Sequence, residues 1–275
     1  MGLITRIKYG NGVKNINHSQ FADDTLLIGG TSTTIARRFK NLLDQYMGYS
    51  GGAVNFHKSF VYGWNITNQM VHSIANIFGV TYKLEWNHFS YLGMPVSLGP
   101  LKAETWNEII EKVKRKVQQW GEIWLNPVGR LILLKSGITS LPFYRFTLYQ
   151  APAIFHHKLE IALRHFLWQG GKKDKSRFNL VNLKHVIQSQ DRGGLGIRSP
   201  KILNLAFGVK MVWRLITRPT AWWKKVLEIK YLNFPTQNLL DSNMPNRASS
   251  KIWRLCEKSL HILKQNTSKV PGGEG

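Results

Sequence analysis

Short alternating apolar runs separated by turn residues mark the first hundred residues, and this pattern predicts β-hairpins. Between the hairpins, apolar residues recur at intervals of three and four, which predicts amphipathic helices. The predicted elements are a hairpin over residues 4–16, a second hairpin over 20–29, a helix from about 31 to 50, a loop and strand over 54–63, a helix over 68–78 and a third hairpin over 89–96. Residues 1–97 are therefore predicted to form mixed α and β structure.

From about residue 101 the apolar pattern is helical. The predicted helices cover about 106–124, 128–141, 153–168, 202–217 and 221–232. Pro127 and Pro142 end the first two, because proline cannot continue a helix. A polar linker is predicted over 170–176, a Gly-rich turn over 193–196, and frayed order from about Thr236, where Asn and Ser are frequent. The predicted fold class is α+β.

The charge of the chain points to a polyanionic partner. Lys and Arg outnumber Asp and Glu by 38 to 15, a formal net charge of +23. The excess is uneven, because residues 1–100 carry a net charge of +4 and residues 101–275 carry +19. Such a footprint favours nucleic acid. An anionic membrane surface is the alternative, but the cations are spread between aromatic residues over several elements and form no single basic amphipathic helix.

Composition excludes several other classes of protein. An apolar content of 43% with ten Trp predicts a folded chain with a sizeable core. Cys256 is the single cysteine, which excludes an internal disulfide and any multi-cysteine zinc site. No apolar run approaches the roughly 20 residues of a membrane span, and no signal peptide opens the chain. We therefore expect an intracellular protein that is neither secreted nor bound to a membrane.

Two adjacent carboxylates, Asp23 and Asp24, lie between apolar runs and are predicted to occupy the tip of a hairpin. Two like charges about 4 Å apart repel by roughly 4 kcal/mol at an effective dielectric of about 20, and a bound divalent cation reverses that sign. Asp oxygens suit Mg²⁺, which commonly takes one or two carboxylates together with substrate phosphates. The alternative is a surface turn whose Asp pair only favours the bend.

Several short motifs follow one another along the chain. They are Phe21-Ala22-Asp23-Asp24, Val54-Asn55-Phe56-His57-Lys58-Ser59, Tyr91-Leu92-Gly93 with Pro95, Trp120, Gly129-Arg130 and Lys135-Ser136 with Pro142 and Tyr144, Phe166-Leu167-Trp168, Gly193-Gly194-Leu195-Gly196-Ile197-Arg198 and Asn204-Leu205-Ala206. In this order and at this spacing, over roughly residues 1–235, the chain resembles the reverse transcriptases of LINE-type (non-LTR) retrotransposons in the form common in plants. Each motif alone is weak, and together they are specific.

The resemblance implies RNA-directed DNA synthesis by two-metal phosphoryl transfer, with RNA template and DNA primer as partners and Mg²⁺ as cofactor. Asp23 would be a direct Mg²⁺ ligand, Asp24 would support the metal site, and Lys58 would approach the incoming triphosphate. Tyr91, Leu92 and Gly93 would position the primer end. The residues implied in contacts with the template–primer duplex are Lys112, Arg115, Lys116, Arg130 and Lys135.

The resemblance also implies a division of the chain. Residues 1–97 would be part of a polymerase palm, built from antiparallel hairpins with packed helices, and residues 98–170 an α-helical thumb. A basic, mostly helical segment would cover 171–235, and a poorly ordered tail 236–275. For most of these residues a plain alternative stands: Lys58 as a solvated loop lysine, the Tyr91 hairpin as core packing, and Arg130 as an exposed helix cation.

The chain departs from the family upstream of the Asp pair. A two-metal polymerase site needs a third carboxylate from an earlier strand, and residues 1–22 contain no Asp or Glu. We therefore expect a truncated enzyme that binds RNA–DNA hybrid without extending a primer by itself, in the nucleus if it works as the family does. The alternative is a non-catalytic nucleic-acid-binding relic or a degraded open reading frame.

Overall fold

The computed structural model describes residues 16–99, 101–121, 125–170, 181, 183–218, 220–232, 234–241 and 250–267. The chain divides into two compact units, residues 1–101 and residues 102–275. Strands occur in the first unit and helices in both, which confirms the α+β class. Residues 4–15 of the first predicted hairpin, residues 171–176 of the predicted linker and Trp124 lie outside the described residues.

The described residues of the first unit form three two-stranded sheets, two α-helices and one 3₁₀ turn (Phe56–Lys58). Its elements are β1 (His18–Phe21), β2 (Asp24–Leu27), α1 (Thr33–Ser50), β3 (Phe60–Tyr62), α2 (Asn68–Phe78), β4 (Thr81–Lys83), β5 (Phe89–Tyr91) and β6 (Met94–Val96). The first and third sheets are antiparallel hairpins, β1 with β2 and β5 with β6. The second sheet joins β3 and β4 in parallel through the crossover helix α2.

Local capping explains where the two helices of the first unit begin and end. The Ser32 hydroxyl accepts from the Thr34 amide at the start of α1, and Gly51 ends that helix in the left-handed conformation. Thr67 and Gly79 do the same for α2. The two helices pack on each other, and Ala36, Phe39, Val71 and Ala75 are buried. The predicted helices over 31–50 and 68–78 are therefore confirmed.

The second unit is helical. Its elements are α3 (Asn107–Gly121), α4 (Pro127–Leu133), a π-helix (Leu134–Ile138), α5 (Phe143–Phe146), α6 (Ala153–Gln169), α7 (Leu183–Val186), α8 (Pro200–Thr217), α9 (Trp222–Tyr231) and α10 (Lys251–Gln265). The predicted helix over 128–141 is thus an α-helix that widens into one π turn. Gly137 lies in that turn, and a Cβ atom there would come within 2.4 Å of the Trp120 ring. The absent side chain lets Trp120 pack directly on the π turn.

One hydrophobic core joins the predicted thumb to the segment that follows it. Trp106, Val113, Phe146 and Leu163 are buried together with Ile197, which lies beyond the predicted boundary at 170. The division into four domains remains a prediction. The helices before residue 170 share a hydrophobic core with Val186 and Ile197, which lie after the predicted boundary.

The Gly-rich turn over 193–196 is confirmed, and its glycines have steric reasons. Gly193 and Gly196 have positive φ angles of 78° and 64°, which favour glycine. A Cβ atom on Gly194 would lie 2.1 Å from the carbonyl oxygen of Gln188. The amide of Leu195 donates to the Val186 carbonyl at 3.0 Å, so the turn folds back on α7.

The prediction of frayed order from Thr236 is wrong for the described part of that tail. A 3₁₀ helix covers Thr236–Leu240, and α10 has a stripe of buried residues along one side. The prediction failed because it relied on the frequent Asn and Ser residues before α10 and not on the apolar spacing within it. Trp253 is fully buried and stacks on Tyr231 with ring centroids 4.7 Å apart. The residues of the stripe are Trp253, Cys256, Leu260 and Leu263, spaced by three and four.

Candidate active site and nucleic-acid interface

The structure places Asp23 and Asp24 at the tip of the hairpin formed by β1 and β2. Phe21 pairs with Asp24, and Ala22 and Asp23 form a two-residue turn. Both carboxylates are exposed, and the Phe21 side chain beside them is 66% exposed. The predicted hairpin with the acids at its tip is therefore confirmed, and both acids are accessible to a ligand from solvent.

Ala22 has a φ angle of 50°, a left-handed conformation that side chains disfavour by about 1–2 kcal/mol. Replacing Ala22 by glycine should relieve this strain and stabilise the hairpin by about 0.5–1 kcal/mol, after the larger backbone entropy of glycine is subtracted. Amide exchange in a peptide covering residues 17–28 should then slow by about two- to fivefold, measured by mass spectrometry.

Ala53 provides the matched control for this prediction, because it is exposed and lies outside the hairpin at an ordinary φ. Replacing Ala53 by glycine should leave exchange over residues 17–28 unchanged. Faster exchange in the Ala22→Gly variant would show that the left-handed turn is not strained.

A second hairpin, β5 and β6, is joined to the Asp hairpin by a hydrogen bond. Leu92 and Gly93 form its two-residue turn with φ angles of 51° and 73°. The Tyr91 hydroxyl lies 3.2 Å from the Ser19 carbonyl oxygen and 3.1 Å from the Ser19 hydroxyl. The predicted primer-positioning residues and the predicted metal ligands are thus parts of one connected structure.

Lys58 lies on a self-closing turn that explains the spacing of its motif. The Asn55 side chain accepts from the Lys58 amide at 3.1 Å, and the Ser59 hydroxyl donates to the Asn55 carbonyl at 2.9 Å. The Asn and Ser residues therefore shape a 3₁₀ turn that leaves the Lys58 side chain exposed. The turn therefore presents the Lys58 ammonium group to solvent. The contact between Lys58 and an incoming triphosphate remains a prediction.

An aromatic cluster connects the strand after this turn to the Tyr91 hairpin. Tyr62 of β3 stacks on Phe89 of β5 with ring centroids 4.5 Å apart, and Trp86 lies against both rings. The Trp86 indole donates to the Gly63 carbonyl at 2.7 Å. Burial raises the pKa of the Tyr62 hydroxyl. Tyr62, Trp86 and Ser19 were missed from the sequence, because only the fold brings them to the predicted site residues.

The candidate Mg²⁺ site at the hairpin consists of two carboxylates, Asp23 and Asp24. Within the described ranges, no group of three or more His, Cys, Asp or Glu side chains is placed to hold a metal ion. The donor chemistry of Asp23 and Asp24 fits Mg²⁺, which accepts one or two protein carboxylates when phosphate oxygens and water complete its shell. The hairpin therefore suits a metal that arrives with a phosphate ligand.

Three predicted nucleic-acid contacts share one face of α3. Lys112, Arg115 and Lys116 are spaced at i, i+3 and i+4, and their face borders the buried stripe that contains Ile109 and Val113. Lys112 and Arg115 are exposed, whereas Lys116 is half-buried with its ammonium 5.5 Å from the Trp120 ring centroid. The face therefore presents two exposed cations and one cation held over an aromatic ring.

Arg130 has contacts inside the protein. Its guanidinium donates to the Leu125 carbonyl at 3.2 Å and to the Leu167 carbonyl at 3.0 Å, near the end of α6. A cation suits this helix end, because the last carbonyls have no partner within the helix. These bonds account for Arg130 structurally, and its phosphate contact stays a prediction. Lys135 is exposed on the π-helix.

Two buried titratable groups lie away from these residues. His156 on α6 is buried against Phe146, and burial together with the nearby Lys201 lowers the pKa of its imidazole. Burial raises the pKa of the Cys256 thiol on α10 to about 12. A buried thiol with so high a pKa is unreactive while the protein is folded.

No known protein-family profile matches the chain. Over 182 residues it is 30% identical to a protein of Arabidopsis thaliana that carries the name of a ribonuclease H protein. The matched region is 65% of this chain and 29% of the relative, so the chain spans less than a third of that protein's length. In the part of the chain that the structure describes, no helix is long and apolar enough to cross a membrane.

Proposed function

We propose that this chain is part of a reverse transcriptase of the LINE type, in which Asp23 and Asp24 hold Mg²⁺ and the helical unit holds an RNA–DNA hybrid. The observation that carries the proposal is the hydrogen bond from the Tyr91 hydroxyl to Ser19. It holds the hairpin with the Asp pair beside the hairpin whose motif resembles a primer grip. A polymerase needs this proximity, because the primer end must meet the metal.

Each residue would have a defined task in nucleotidyl transfer. Asp23 would orient its carboxylate toward the metal from the turn, and Asp24 would support it from the first position of β2. Bound Mg²⁺ would supply charge neutralisation at the phosphoryl group. Tyr91, tied to Ser19, would keep the primer strand in register with the Asp pair. Lys58, exposed on its 3₁₀ turn, would contact the triphosphate.

The helical unit would contribute phosphate contacts. Residues 101–275 carry a net charge of +19, which suits a duplex backbone. Lys112 and Arg115 are exposed on the same face of α3 and would contact successive phosphates, whereas Lys135 would act from the π-helix. The name of the relative, a ribonuclease H protein, also fits a nucleic-acid partner, although 71% of that relative lies outside the matched region.

The second candidate function is non-catalytic binding of nucleic acid. It is favoured by the small number of candidate ligands at the hairpin, since no group of three or more His, Cys, Asp or Glu side chains among the described residues is placed to hold a metal ion. A two-metal site is typically built from more carboxylates than two. In this case the +19 charge of residues 101–275 would still bind hybrid, and the Asp pair would serve the turn alone.

Replacing Asp23 by asparagine separates the two candidates. The full chain would be mixed with an RNA–DNA hybrid and a nucleoside triphosphate, and Mn²⁺ binding followed by electron paramagnetic resonance. We expect the wild-type chain to bind Mn²⁺ and the Asp23→Asn variant to bind it at least tenfold more weakly. Hybrid affinity at fixed salt should change less than twofold, because the phosphate contacts lie elsewhere.

Asp44 offers a matched control, because it is a carboxylate of the same unit whose side chain pairs with Lys40 at 2.5 Å. Replacing Asp44 by asparagine should leave Mn²⁺ binding unchanged. Equal Mn²⁺ binding by all three proteins would overturn the polymerase proposal and leave the non-catalytic one standing. If the wild-type chain does not bind the RNA–DNA hybrid at all, both proposed functions are overturned.

A further inference from the structure

The outer face of α8 combines exposed apolar and cationic side chains. We call this surface the α8 outer face, and it consists of Ile202, Ala206, Lys210, Trp213, Arg214 and Thr217. Helical spacing places these residues within one arc of the helix, over a length of about 22 Å. Ile202 is 64% exposed and Trp213 is 48% exposed. The whole helix Pro200–Thr217 contains no Asp or Glu.

The opposite face of α8 holds the helix firmly in place. Asn204, Gly208 and Val212 are buried, and Asn204 bonds the backbone before α6. Gly208 lies so close to α10 that a Cβ atom there would be 2.1 Å from the Ser259 hydroxyl. The α8 outer face is therefore presented on a rigid helix and cannot turn inward to bury Trp213.

In the part of the chain that the structure describes, the cations of this face have no acidic partners. Neither Lys210 nor Arg214 forms an ion pair with any carboxylate among the described residues. They lie four residues apart, where like charges destabilise a helix by about 0.2–0.5 kcal/mol. On α3, by contrast, Lys114 is neutralised by Glu111 at 2.8 Å. The charge pattern of α8 is thus complementary to an anionic ligand.

The exposed Trp213 ring indicates a ligand that has an accessible aromatic base in addition to phosphate groups. Trp213 lies on the same face of α8 as Lys210, three residues earlier, and next to Arg214 in the sequence. Aromatic rings flanked by cations stack on bases whose faces are free, and duplex DNA or hybrid hides those faces. We propose that the α8 outer face binds single-stranded nucleic acid, with Trp213 stacked on an unpaired base and Lys210 and Arg214 contacting neighbouring phosphates.

An anionic membrane surface fits this face less well. A helix that lies in a membrane interface buries a continuous apolar stripe 5–10 Å deep. The two large exposed apolar residues, Ile202 and Trp213, are eleven residues apart, about 16 Å along the axis. Ala206 and the charged Lys210 lie between them. Isolated stacking positions suit separate bases along a strand better than a lipid surface.

The proposal is independent of the proposed polymerase function, because it shares none of its residues. Its test uses the full chain and a fluorescein-labelled single strand of twelve thymidines, with affinity measured by anisotropy at several salt concentrations. Replacing Trp213 by alanine should weaken binding about tenfold, the loss expected for one stacked base. Trp213→Phe should bind within about threefold of the wild type, because a phenyl ring still stacks.

Trp64 provides the matched control, since it is 69% exposed but lies in the first unit. Trp64→Ala should leave the affinity unchanged. The double variant Lys210→Gln, Arg214→Gln should reduce the slope of log affinity against log salt by about 1.4, or 0.7 for each lost phosphate contact. Asp23→Asn should not alter strand binding, so failure of the polymerase proposal is distinguishable from failure of this one.

Three outcomes would overturn the proposal. They are equal affinity of Trp213→Ala and Trp64→Ala for the strand, an unchanged salt slope in the double variant, and Trp213-dependent binding to phosphatidylserine vesicles without Trp213-dependent binding to the strand. Far-ultraviolet circular dichroism checks the fold of each variant. If Trp213→Ala unfolds, the affinity of Trp213→Phe and the salt slope of the double variant decide the matter.

Discussion

Replacing Asn204 by alanine is expected to lower the free energy of unfolding of the helical unit by about 3 kcal/mol. The buried Asn204 amide accepts from the Ala151 amide at 2.8 Å and donates to the carbonyls of Tyr149 at 2.9 Å and Phe146 at 3.4 Å. Alanine would leave these backbone groups without their partner, and each buried group so orphaned costs about 1–3 kcal/mol. Urea unfolding followed by Trp fluorescence measures the change, since eight of the ten Trp lie beyond residue 101.

Two further variants make the prediction about Asn204 specific. Asn266 is exposed and donates to the Ile262 carbonyl at 2.8 Å, so Asn266→Ala should change stability by less than about 0.5 kcal/mol. Asn204→Asp keeps an acceptor for Ala151 but turns a carboxylate oxygen toward the Tyr149 carbonyl. It should destabilise at least as much as alanine. An Asn204→Asp variant as stable as Asn266→Ala would contradict the assigned role.

The hydrogen bonds of Asn204 explain the structural role of a motif that was identified only by its resemblance to a known family. The Asn204-Leu205-Ala206 segment was matched to the region after the thumb, with no role for any of its residues. In the structure, Asn204 holds the corner between α5 and α6, the helices of the predicted thumb. Folding of the predicted thumb therefore depends on α8, and the Asn204→Ala variant should also lose hybrid affinity.

Features set by neighbouring residues were predictable from the sequence. The tip of the Asp hairpin, the Ser32 cap and the Gly51 terminus each depend on a few consecutive residues. Turn and cap preferences act over the same short range. The helices from 106 to 168 were also predictable, because their apolar stripes face one core. The exception is the π turn, which depends on the close packing of the Trp120 ring against Gly137.

Features set by distant residues were not predictable. The bond between Tyr91 and Ser19 spans 72 residues, and the bond between Arg130 and Leu167 spans 37. The sequence motif identified both Tyr91 and Arg130 and left their partners unknown. For the candidate site, the identities of Asp23, Asp24 and Tyr91 came from the sequence, and only the fold showed which hairpins meet.

The tail shows a different limit, in which composition outweighed periodicity. Asn and Ser make up six of the fourteen residues 237–250, and that bias predicted loss of order. The stripe that begins at Trp253 has the same three-and-four spacing that identified α3. The spacing was the better signal, because burying Trp253 and Leu260 stabilises a helix irrespective of the polar segment before it.

Replacing Gly208 by alanine is expected to destabilise the helical unit by about 2–3 kcal/mol, opposite in sign to the usual effect. In an open helix the same change stabilises by about 0.8–1 kcal/mol. Here a Cβ atom would lie 2.1 Å from the Ser259 hydroxyl and 2.9 Å from Leu255 Cδ1, so α8 and α10 must separate or repack. Gly48 in α1 has no atom within 4 Å of such a Cβ atom, so Gly48→Ala should stabilise its unit and is the control.

Cys256 reports on the separation of α8 and α10 directly. Its thiol is buried on α10 and its pKa is raised to about 12, so iodoacetamide should modify it only when the helices open. Alkylation of Gly208→Ala at neutral pH should be at least tenfold faster than that of the wild type, and alkylation of Gly48→Ala unchanged. Equal rates in all three proteins would mean that the crossing tolerates a methyl group.

Ser259 allows the cause of the Gly208 effect to be isolated. Its hydroxyl is buried and has no hydrogen-bond partner among the residues that the structure describes, so Ser259→Ala by itself should be neutral or slightly stabilising. In the double variant Gly208→Ala, Ser259→Ala, the closest contact is removed and the one to a flexible Leu255 methyl group remains. The double variant should regain about half of the lost stability, a coupling of about 1 kcal/mol or more. Strict additivity of the two changes would show that backbone strain in α8, and not the contact with Ser259, keeps this position a glycine.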